Sequence, residues 1–161
     1  MWEERSILMS TNLSHRRAEL ADLVAIIDLL ADDELGQTRE TTSDINEQKY
    51  IDAFHVINKD SNQYLMVVEE NTEIIGTCHL TLMPSLTFTG STRLNIEAVR
   101  INKRFRGKNI GQWMLNQAIA YGKANGASII QLTTDKQRVV AKNFYHSLGF
   151  TDSHEGMKKH I

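Results

Sequence analysis

The sequence has few of the residues that cross-link a chain or interrupt its secondary structure. Its 161 residues include one cysteine, Cys78, and one proline, Pro84. A lone cysteine cannot form an internal disulfide, which favours a reducing cytoplasmic location. We expect Cys78 to be a small buried apolar residue rather than a nucleophile. With 41% hydrophobic and 24% charged residues, the composition excludes a collagen-like or disordered chain.

Long hydrophobic runs and an excess of one charge are also missing. No stretch approaches the roughly 20 apolar residues of a membrane span, and Glu3 and Glu4 stand where a signal peptide needs positive charge. The formal net charge of −2 argues against a general nucleic-acid binder, and no histidine spacing suggests a metal site. We expect one soluble, cytoplasmic domain over residues 1–161, with roughly the first ten residues disordered.

The pattern of apolar residues predicts a mixed α/β fold. Residues 63–70 and 74–83 alternate as two strands joined by a short turn, which predicts an antiparallel hairpin. A strand at 94–101, a helix at 110–125 and a strand at 128–133 predict a parallel pair joined by a helical crossover. The other predicted elements are a first strand at 12–17, helices at 18–31, 46–58 and 139–148, and a terminal pair of strands around Glu155 and Gly156. The chain is therefore expected to form an antiparallel N-terminal sheet region and a parallel central pair, flanked by about four helices.

Two turns or loops are candidates for binding. The polar loop 35–44 is either a place for substrate contacts or a solvated connection. The basic turn before the helix at 110 contains Gly107, which lets the backbone approach a phosphate, and Arg104, Arg106 and Lys108 add positive charge there. A helix start also offers unpaired N–H groups and a positive dipole end, so this turn predicts an anion cradle. Neither GxxxxGK[ST] nor GxGxxG is present.

The segment 106–111 (RGKNIG), taken with the later run AKNFYHSLGF at 141–150, resembles the GNAT superfamily of acetyl-CoA-dependent N-acetyltransferases. In that family the motif [Q/R]-x-x-G-x-[G/A] binds the pyrophosphate of coenzyme A. The resemblance therefore implies a cofactor cradle made by Arg106, Gly107, Lys108, Asn109, Ile110 and Gly111. Asn109 departs from the family glycine, but asparagine tolerates positive φ better than other non-glycine residues. The departure allows for weaker or altered cofactor affinity.

The resemblance also implies how the rest of acetyl-CoA binds. In the family fold the two central parallel strands part, and pantetheine pairs with strand backbone at the positions of Val99 and Ile101. Ala141 matches the family alanine on the last helix. Arg138 replaces the asparagine that usually stands three residues before that alanine, and it can reach a phosphate instead, as can Lys142.

Two residues are candidates for proton transfer. Tyr145 matches the tyrosine that acts as general acid in many family members, and its alternative role is packing at the helix edge. Glu97 is the candidate base, with a pKa expected to rise through partial burial. Some family members use a glutamate on this strand and others use ordered water, so a structural hydrogen-bonding role for Glu97 stays open.

The implied activity is direct transfer of an acetyl group from acetyl-CoA to the primary amine of a small molecule or amino acid. The alternatives are a protein or peptide N-acetyltransferase and a non-catalytic acyl-CoA-binding sensor module. A nucleic-acid contact through NKRFRGK at 102–108 is disfavoured by the net charge. The resemblance predicts no nucleic-acid, membrane or metal partner, and a homodimer is an expectation from the family alone.

Overall fold

The computed structural model of this chain describes residues 12–32, 34–40 and 44–161. They form a five-stranded sheet in the order β1-β2-β3-β4-β5. The strands are β1 (Leu13–Arg17), β2 (Gln63–Glu70), β3 (Glu73–Pro84), β4 (Thr92–Ile101) and β5 (Ala127–Leu132). The helices are α1 (Leu23–Ala31), α2 (Glu34–Arg39), α3 (Asp44–Lys59), α4 (Thr87–Gly90), α5 (Ile110–Ala124) and α6 (Val139–Ser147). The first four strands pair antiparallel and β4 pairs parallel with β5, which confirms the predicted mixed sheet.

The predicted hairpin and crossover both follow from local sequence. Asn71 and Thr72 join β2 to β3, and both have positive φ (50° and 69°), as a tight hairpin turn requires. The crossover helix α5 packs closely on the sheet at Gly122, where a Cβ would lie 2.9 Å from Leu94 Cδ2. A larger residue at this position would push α5 away from β4.

The sheet separates two apolar layers. On the α5 face the core contains buried residues of β4 and α5, among them Leu94, Ile96, Met114, Leu115 and Ala118. On the opposite face Val67 of β2 packs with Ile26 of α1 and Phe54 of α3. Cys78 is fully buried in the first layer, as predicted, and burial raises the pKa of its thiol to about 12. The thiol is therefore protonated at neutral pH and is a poor nucleophile.

Three predicted elements differ from the structure. The loop expected at 35–44 contains α2, and residues 41–43 lie outside the described residues. The helix expected from residue 18 begins at Leu23, after a 3-10 turn at Leu20–Asp22. The terminal strand pair around Glu155 and Gly156 is wrong: the described chain has no helix or strand after Ser147. Residues 151–161 are all exposed, and without a buried apolar face a strand gains little from pairing.

The disorder expected of the first ten or so residues falls outside the described part of the chain. Within the described ranges, no helix has the length and apolar character needed to cross a bilayer.

Candidate active site

Strands β4 and β5 are paired over only part of β4. The parallel register runs from Thr92 opposite Ala127 to Ile96 opposite Leu132, where β5 ends. Strand β4 continues to Ile101 and stays paired on its other edge with β3. The backbone of β4 beyond Ile96 therefore borders a gap in the sheet.

A β-bulge at Ala98 lies where the gap begins. Thr77 is opposite Arg100 and His79 is opposite Glu97, so β4 has one extra residue between these pairs. Ala98 has a φ of 53°, a left-handed conformation that non-glycine residues adopt at a cost of about 1 kcal/mol or more. The extra residue shifts the alternation of side chains, as bulges do.

After the bulge, Val99 and Ile101 pack against the core that also contains Ile96. The N–H of the next residue, Asn102, donates to a β3 carbonyl (2.8 Å), so the backbone polar groups of Asn102 point toward β3. Successive residues of a strand point to opposite edges, so the polar groups of Ile101 and Val99 point away from β3 and face the gap. Side chains of the same chain bind both carbonyls. Arg100 Nη1 donates to the Val99 oxygen (2.9 Å) and Arg106 Nε donates to the Ile101 oxygen (3.0 Å).

The turn that follows β4 contains two residues in the left-handed conformation. Gly107 and Asn109 both have positive φ (76° and 61°). Asn109 thus has the positive φ that asparagine tolerates better than other non-glycine residues. It precedes α5 but its side chain does not cap the helix, so the first N–H groups of α5 are left for another acceptor. A Cβ built on Gly107 would meet nothing within 4 Å, so the space beside the turn is open.

The basic residues of the turn divide into paired and unpaired groups. Lys103 Nζ lies 2.9 Å from Asp32 Oδ1, and Arg104 forms an ion pair with Glu73. Arg106 and Lys108 have no acidic partner among the described residues. The Lys108 ammonium instead lies 5.1 Å from the ring centre of Phe105. The charge available to an anion therefore comes from Arg106 and Lys108, whereas the charge of Arg104 is already neutralised.

Tyr145 lies on α6 with its ring in the apolar core. Its ring meets that of Phe150 edge-on, with centroids 6.0 Å apart, and Ala141 is half-buried one turn earlier. Burial raises the pKa of Tyr145, and the charges of Arg138 and Arg100 oppose that shift. The hydroxyl makes no hydrogen bond within the part of the chain that the structure describes. It is therefore a protonated donor at neutral pH with no internal acceptor.

Glu97 lies on the face of β4 opposite α5. The expected partial burial is wrong, because its carboxylate is exposed and its neighbours are polar. Glu97 Oε1 accepts a hydrogen bond from Asn95 Nδ2 (3.1 Å). The facing residue, His79, is half-buried and its Nε2 lies 2.6 Å from Gln63 Oε1. Burial lowers the pKa of His79, which is therefore neutral at pH 7.

The remaining predicted phosphate ligands lie at the start of α6. Arg138 is the residue that precedes the helix, and its charge acts on Tyr145. Lys142 Nζ forms an ion pair with Asp152 (2.7 Å), which His146 also contacts (2.7 Å). A phosphate contact by Lys142 would have to replace Asp152. No cluster of metal-ligating side chains occurs in the described ranges.

Sequence reasoning missed a row of polar side chains beside Glu97. We call Arg93, Asn95, Glu97 and Gln131 the polar row. Gln131 Nε2 donates to Asn95 Oδ1 (3.4 Å), and Arg93 Nη1 donates to Gln131 Oε1 (3.5 Å). The signal in the sequence is the alternation of polar residues at 93, 95 and 97 with the buried Leu94 and Ile96. This pattern predicts a strand with one open face.

Comparison with known proteins identifies the family of this chain. The family model described as "Acetyltransferase (GNAT) family" matches residues 23–150, most of the chain. The chain belongs to the GNAT acetyltransferase family. This confirms the family and the acyltransferase class that the resemblance implied.

Two solved structures share the fold of this GNAT chain. A transcriptional regulator from Bacillus halodurans has a crystal structure with a TM-score of 0.89 and 43% identity, covering 92% of this chain and 99% of that one. Glucosamine-6-phosphate N-acetyltransferase from Arabidopsis thaliana has a TM-score of 0.75 at 22% identity, covering 92% of this chain and 98% of that one.

An uncharacterized N-acetyltransferase of Methanocaldococcus jannaschii is 35% identical over 57 residues, which are 35% of this chain. The match spans 25% of the length of that relative.

Proposed function

We propose that this GNAT protein transfers an acetyl group from acetyl-CoA directly to the primary amine of a small molecule or amino acid. The observation that carries the proposal is the gap beside β4, where this strand continues beyond the end of β5. Tyr145, whose ring packs in the core on the α5 face, and Glu97, on the opposite face, would approach this gap from its two sides. A donor and an acceptor that approach from opposite faces of a sheet can meet only where two strands separate.

The turn between β4 and α5 fits the pyrophosphate of acetyl-CoA. Residues 106–111 would bind it through the uncapped N–H groups of α5, with Arg106 and Lys108 supplying charge. The backbone N–H groups of Val99 and Ile101 would bind the peptide-like pantetheine arm, in the way that an added strand binds an open sheet edge. Their carbonyl oxygens already accept hydrogen bonds from Arg100 and Arg106, so the arm would bind mainly to the N–H groups. Arg138 and Lys142 are further candidates for phosphate contacts.

Two side chains would then move the protons. Acetyl-CoA supplies an acetyl thioester. As the amine nitrogen bonds to the carbonyl carbon and the C–S bond breaks, the hydroxyl of Tyr145 donates its proton to the departing sulfur. The carboxylate of Glu97 accepts the proton that the amine loses, directly or through a water molecule. The exposure of Glu97 favours the water-mediated route.

A small amine is also the acceptor named for one protein of the same fold. The Arabidopsis relative is described as an acetyltransferase of glucosamine-6-phosphate, a small amine, at an identity that supports the fold alone. A peptide or protein amine is the alternative acceptor. Homodimer formation and a cytoplasmic location are part of this proposal and come from the family resemblance and from the reduced, buried Cys78.

A non-catalytic sensor of acyl-CoA is the second candidate function. It is favoured by the description of the 43% identical Bacillus halodurans protein as a transcriptional regulator. A sensor would bind acetyl-CoA through the same turn but would not need the hydroxyl of Tyr145.

An amine screen separates these functions. The purified chain is incubated with acetyl-CoA and a panel of amino acids, amino sugars, polyamines and short peptides, and release of free coenzyme A is followed with mass analysis of products. We expect amine-dependent release and a product heavier by one acetyl group. Tight acetyl-CoA binding with no product from any amine would instead support the sensor, and absence of both would contradict each candidate.

A pair of glycine variants tests the cradle. Gly107 and Gly126 both have positive φ (76° and 82°), and a Cβ at either position would meet nothing within 4 Å. Alanine at each should therefore cost a similar amount of stability, about 1 kcal/mol. Only Gly107→Ala places a methyl group beside the proposed pyrophosphate, so calorimetry should show weaker acetyl-CoA binding for it alone. Equal affinities in the two variants would contradict the cradle.

A further inference from the structure

We propose that the acceptor is an elongated primary amine with an anionic group, a carboxylate or a phosphate, at its far end, and that Arg93 binds this group. The inference rests on the proposed acetyl transfer, because it places the amine beside Glu97 at the gap. It adds a substrate class and a specificity-determining residue to that function.

The guanidinium of Arg93 has no anionic partner among the described residues. Its Nε is buried and makes no hydrogen bond, and its Nη1 reaches only the amide oxygen of Gln131, at 3.5 Å. None of the described carboxylates forms an ion pair with it. A guanidinium is charged at every physiological pH and offers a planar fork that matches carboxylate and phosphate oxygens. A half-buried cation without a counter-ion is unfavourable, and a ligand anion would remove that cost.

Arg93 and Glu97 lie on the same face of β4. Asn95 stands between them, and Gln131 of β5 is directly opposite Asn95. At about 3.3 Å per residue, the backbones at 93 and 97 are about 13 Å apart, and the long arginine side chain can shorten the span between the two charged groups. An amine at Glu97 and an anion at Arg93 would therefore be the two ends of one molecule. The amides of Asn95 and Gln131 would contact its polar middle.

The anion at Arg93 is distinct from the phosphates of the cofactor. Arg93 is the second residue of β4, whereas the turn with Gly107 follows the other end of that strand. Ile101 is eight residues further along β4, so the two residues lie roughly 20 Å or more apart even though the bulge at Ala98 shortens the strand. A pyrophosphate bound at the turn therefore cannot be the partner of Arg93.

Matched probe amines test the proposal. We would compare 6-aminohexanoate and 6-aminohexyl phosphate with hexylamine, which lacks the anion, in the wild type and in Arg93→Gln and Arg93→Lys. Lys123→Gln, which removes an exposed positive charge near the end of α5, is the control. The ratio of kcat/KM for the two anionic probes distinguishes a carboxylate from a phosphate as the natural group.

We expect the wild type and Lys123→Gln to prefer an anionic probe over hexylamine by about 10- to 100-fold in kcat/KM, the usual effect of one charged hydrogen-bonding pair. In Arg93→Gln the preference should disappear through a raised KM for the two anionic probes. Arg93→Lys should restore part of it. A wild type without this preference, or an Arg93→Gln variant that keeps it or loses activity equally on all three probes, would overturn the proposal.

A binding measurement separates this proposal from the proposed function. Calorimetry of the coenzyme A complex with each probe needs no turnover. If no amine is acetylated but an anionic probe binds and Arg93→Gln abolishes that binding, acetyl transfer fails and the anion site stands. If hexylamine is acetylated while the anionic probes show no advantage in binding or turnover, acetyl transfer stands and the anion site is wrong. Absence of both binding and turnover contradicts both.

Discussion

Two arginines of the sheet have opposite surroundings. Arg16 on β1 donates to both carboxylate oxygens of Asp22 (2.7 and 3.0 Å) and to Glu69 on β2 (2.8 Å). The backbone N–H of Glu19 adds a further bond to Asp22 (2.7 Å). Arg93 on β4 reaches only an amide oxygen.

The same contrast separates two regions of the molecule. Between β1 and β3 the antiparallel ladders extend along the whole of β1 and β2, with one register shift between Val68 and Glu69. The partly buried charges of Arg16, Asp22 and Glu69 pair with one another. Between β4 and β5 the ladder stops at Ile96, the strand bulges at Ala98, and the hydroxyl of Tyr145 has no acceptor among the described residues. We infer that the first region carries stability and the second carries function. Substitutions in the first region should therefore lower stability and leave function intact, whereas substitutions in the second should lower function and leave stability intact.

The largest effect is expected from Tyr145→Phe. The variant keeps the ring and its packing but removes the proton donor, so turnover should fall by roughly 10²- to 10⁴-fold with little change in Tm or acetyl-CoA affinity. Tyr64→Phe is the matched control, since Tyr64 is a half-buried tyrosine on β2 whose ring stacks on Tyr121 (centroids 4.7 Å apart). The control should keep full turnover. Loss of folding or of cofactor binding with normal turnover per bound cofactor would make Tyr145 a packing residue.

The pH profile sharpens the assignment of Tyr145. Burial disfavours the phenolate and raises the pKa of Tyr145 above its ordinary value of 10.0, so the donor form persists to higher pH than in a free tyrosine. The alkaline decline of kcat that reports this group should lie above pH 10.0 in the wild type and be missing in Tyr145→Phe. An alkaline decline that is the same in both proteins would assign it to another group.

The next largest effect is expected from Asp22→Asn. Arg16 is half-exposed, and the change leaves Glu69 as its remaining carboxylate partner. The free energy of unfolding should therefore fall by about 2–4 kcal/mol in denaturant titrations. Affinity for acetyl-CoA should not change. A loss of cofactor binding without a loss of stability would contradict the division into two regions.

Acid titration gives an independent check on this network. The hydrogen bonds from Arg16 lower the pKa of Asp22 below 3.8, so the carboxylate stabilises the fold above that pH and the contribution is lost as the pH falls below it. In Asp22→Asn the fall of stability below about pH 4 should be shallower than in the wild type.

A smaller effect is expected from Arg106→Gln. Arg106 has no carboxylate partner within the described ranges, whereas Arg104 is paired with Glu73. Calorimetry should show acetyl-CoA binding weakened by about tenfold in Arg106→Gln and by no more than about twofold in Arg104→Gln. Added salt should weaken binding in the wild type more than in Arg106→Gln. Equal losses in the two variants would mean that the turn attracts phosphate by overall charge alone.

The smallest effect is expected when glycine replaces each of two alanines in β4 and β5, and the change in stability should have opposite sign at the two positions. Ala98 has a φ of 53° and Ala127 is a buried β5 residue without positive φ. Ala98→Gly relieves a strained conformation and should leave stability unchanged or raise it by up to about 1 kcal/mol. Ala127→Gly should lower it by about 1 kcal/mol. Destabilisation by Ala98→Gly would show that the bulge is not strained.

The elements predicted best are those specified by neighbouring residues. The hairpin at residues 71–72, the crossover at α5 and the left-handed turn at Gly107 and Asn109 each depend on a few consecutive side chains. Alternation with a period of two, helical spacing and tolerance of positive φ are local properties, so a single sequence reveals them.

The errors occur where a residue depends on distant partners. The burial of Glu97 depends on what covers its face of the sheet, which its neighbours in the chain do not specify. The terminal strand pair was predicted from its place in the chain, although residues 151–161 have no buried face to stabilise it. The alternation at 93, 95 and 97 indicates only that one face of β4 is polar. The hydrogen bond that joins this face to Gln131 of another strand is a product of the tertiary structure.

The sequence alone was enough to predict the hairpin, the parallel crossover and the turn that resembles the family motif, because these follow from short-range periodicity and backbone preferences. The tertiary structure decided where β4 loses its partner, which carbonyls Arg100 and Arg106 bind, and which arginines have a carboxylate within reach. Those outcomes depend on distances between groups that are far apart in the chain. A hydrogen bond or an ion pair forms only when folding has brought its two partners to within about 3 Å.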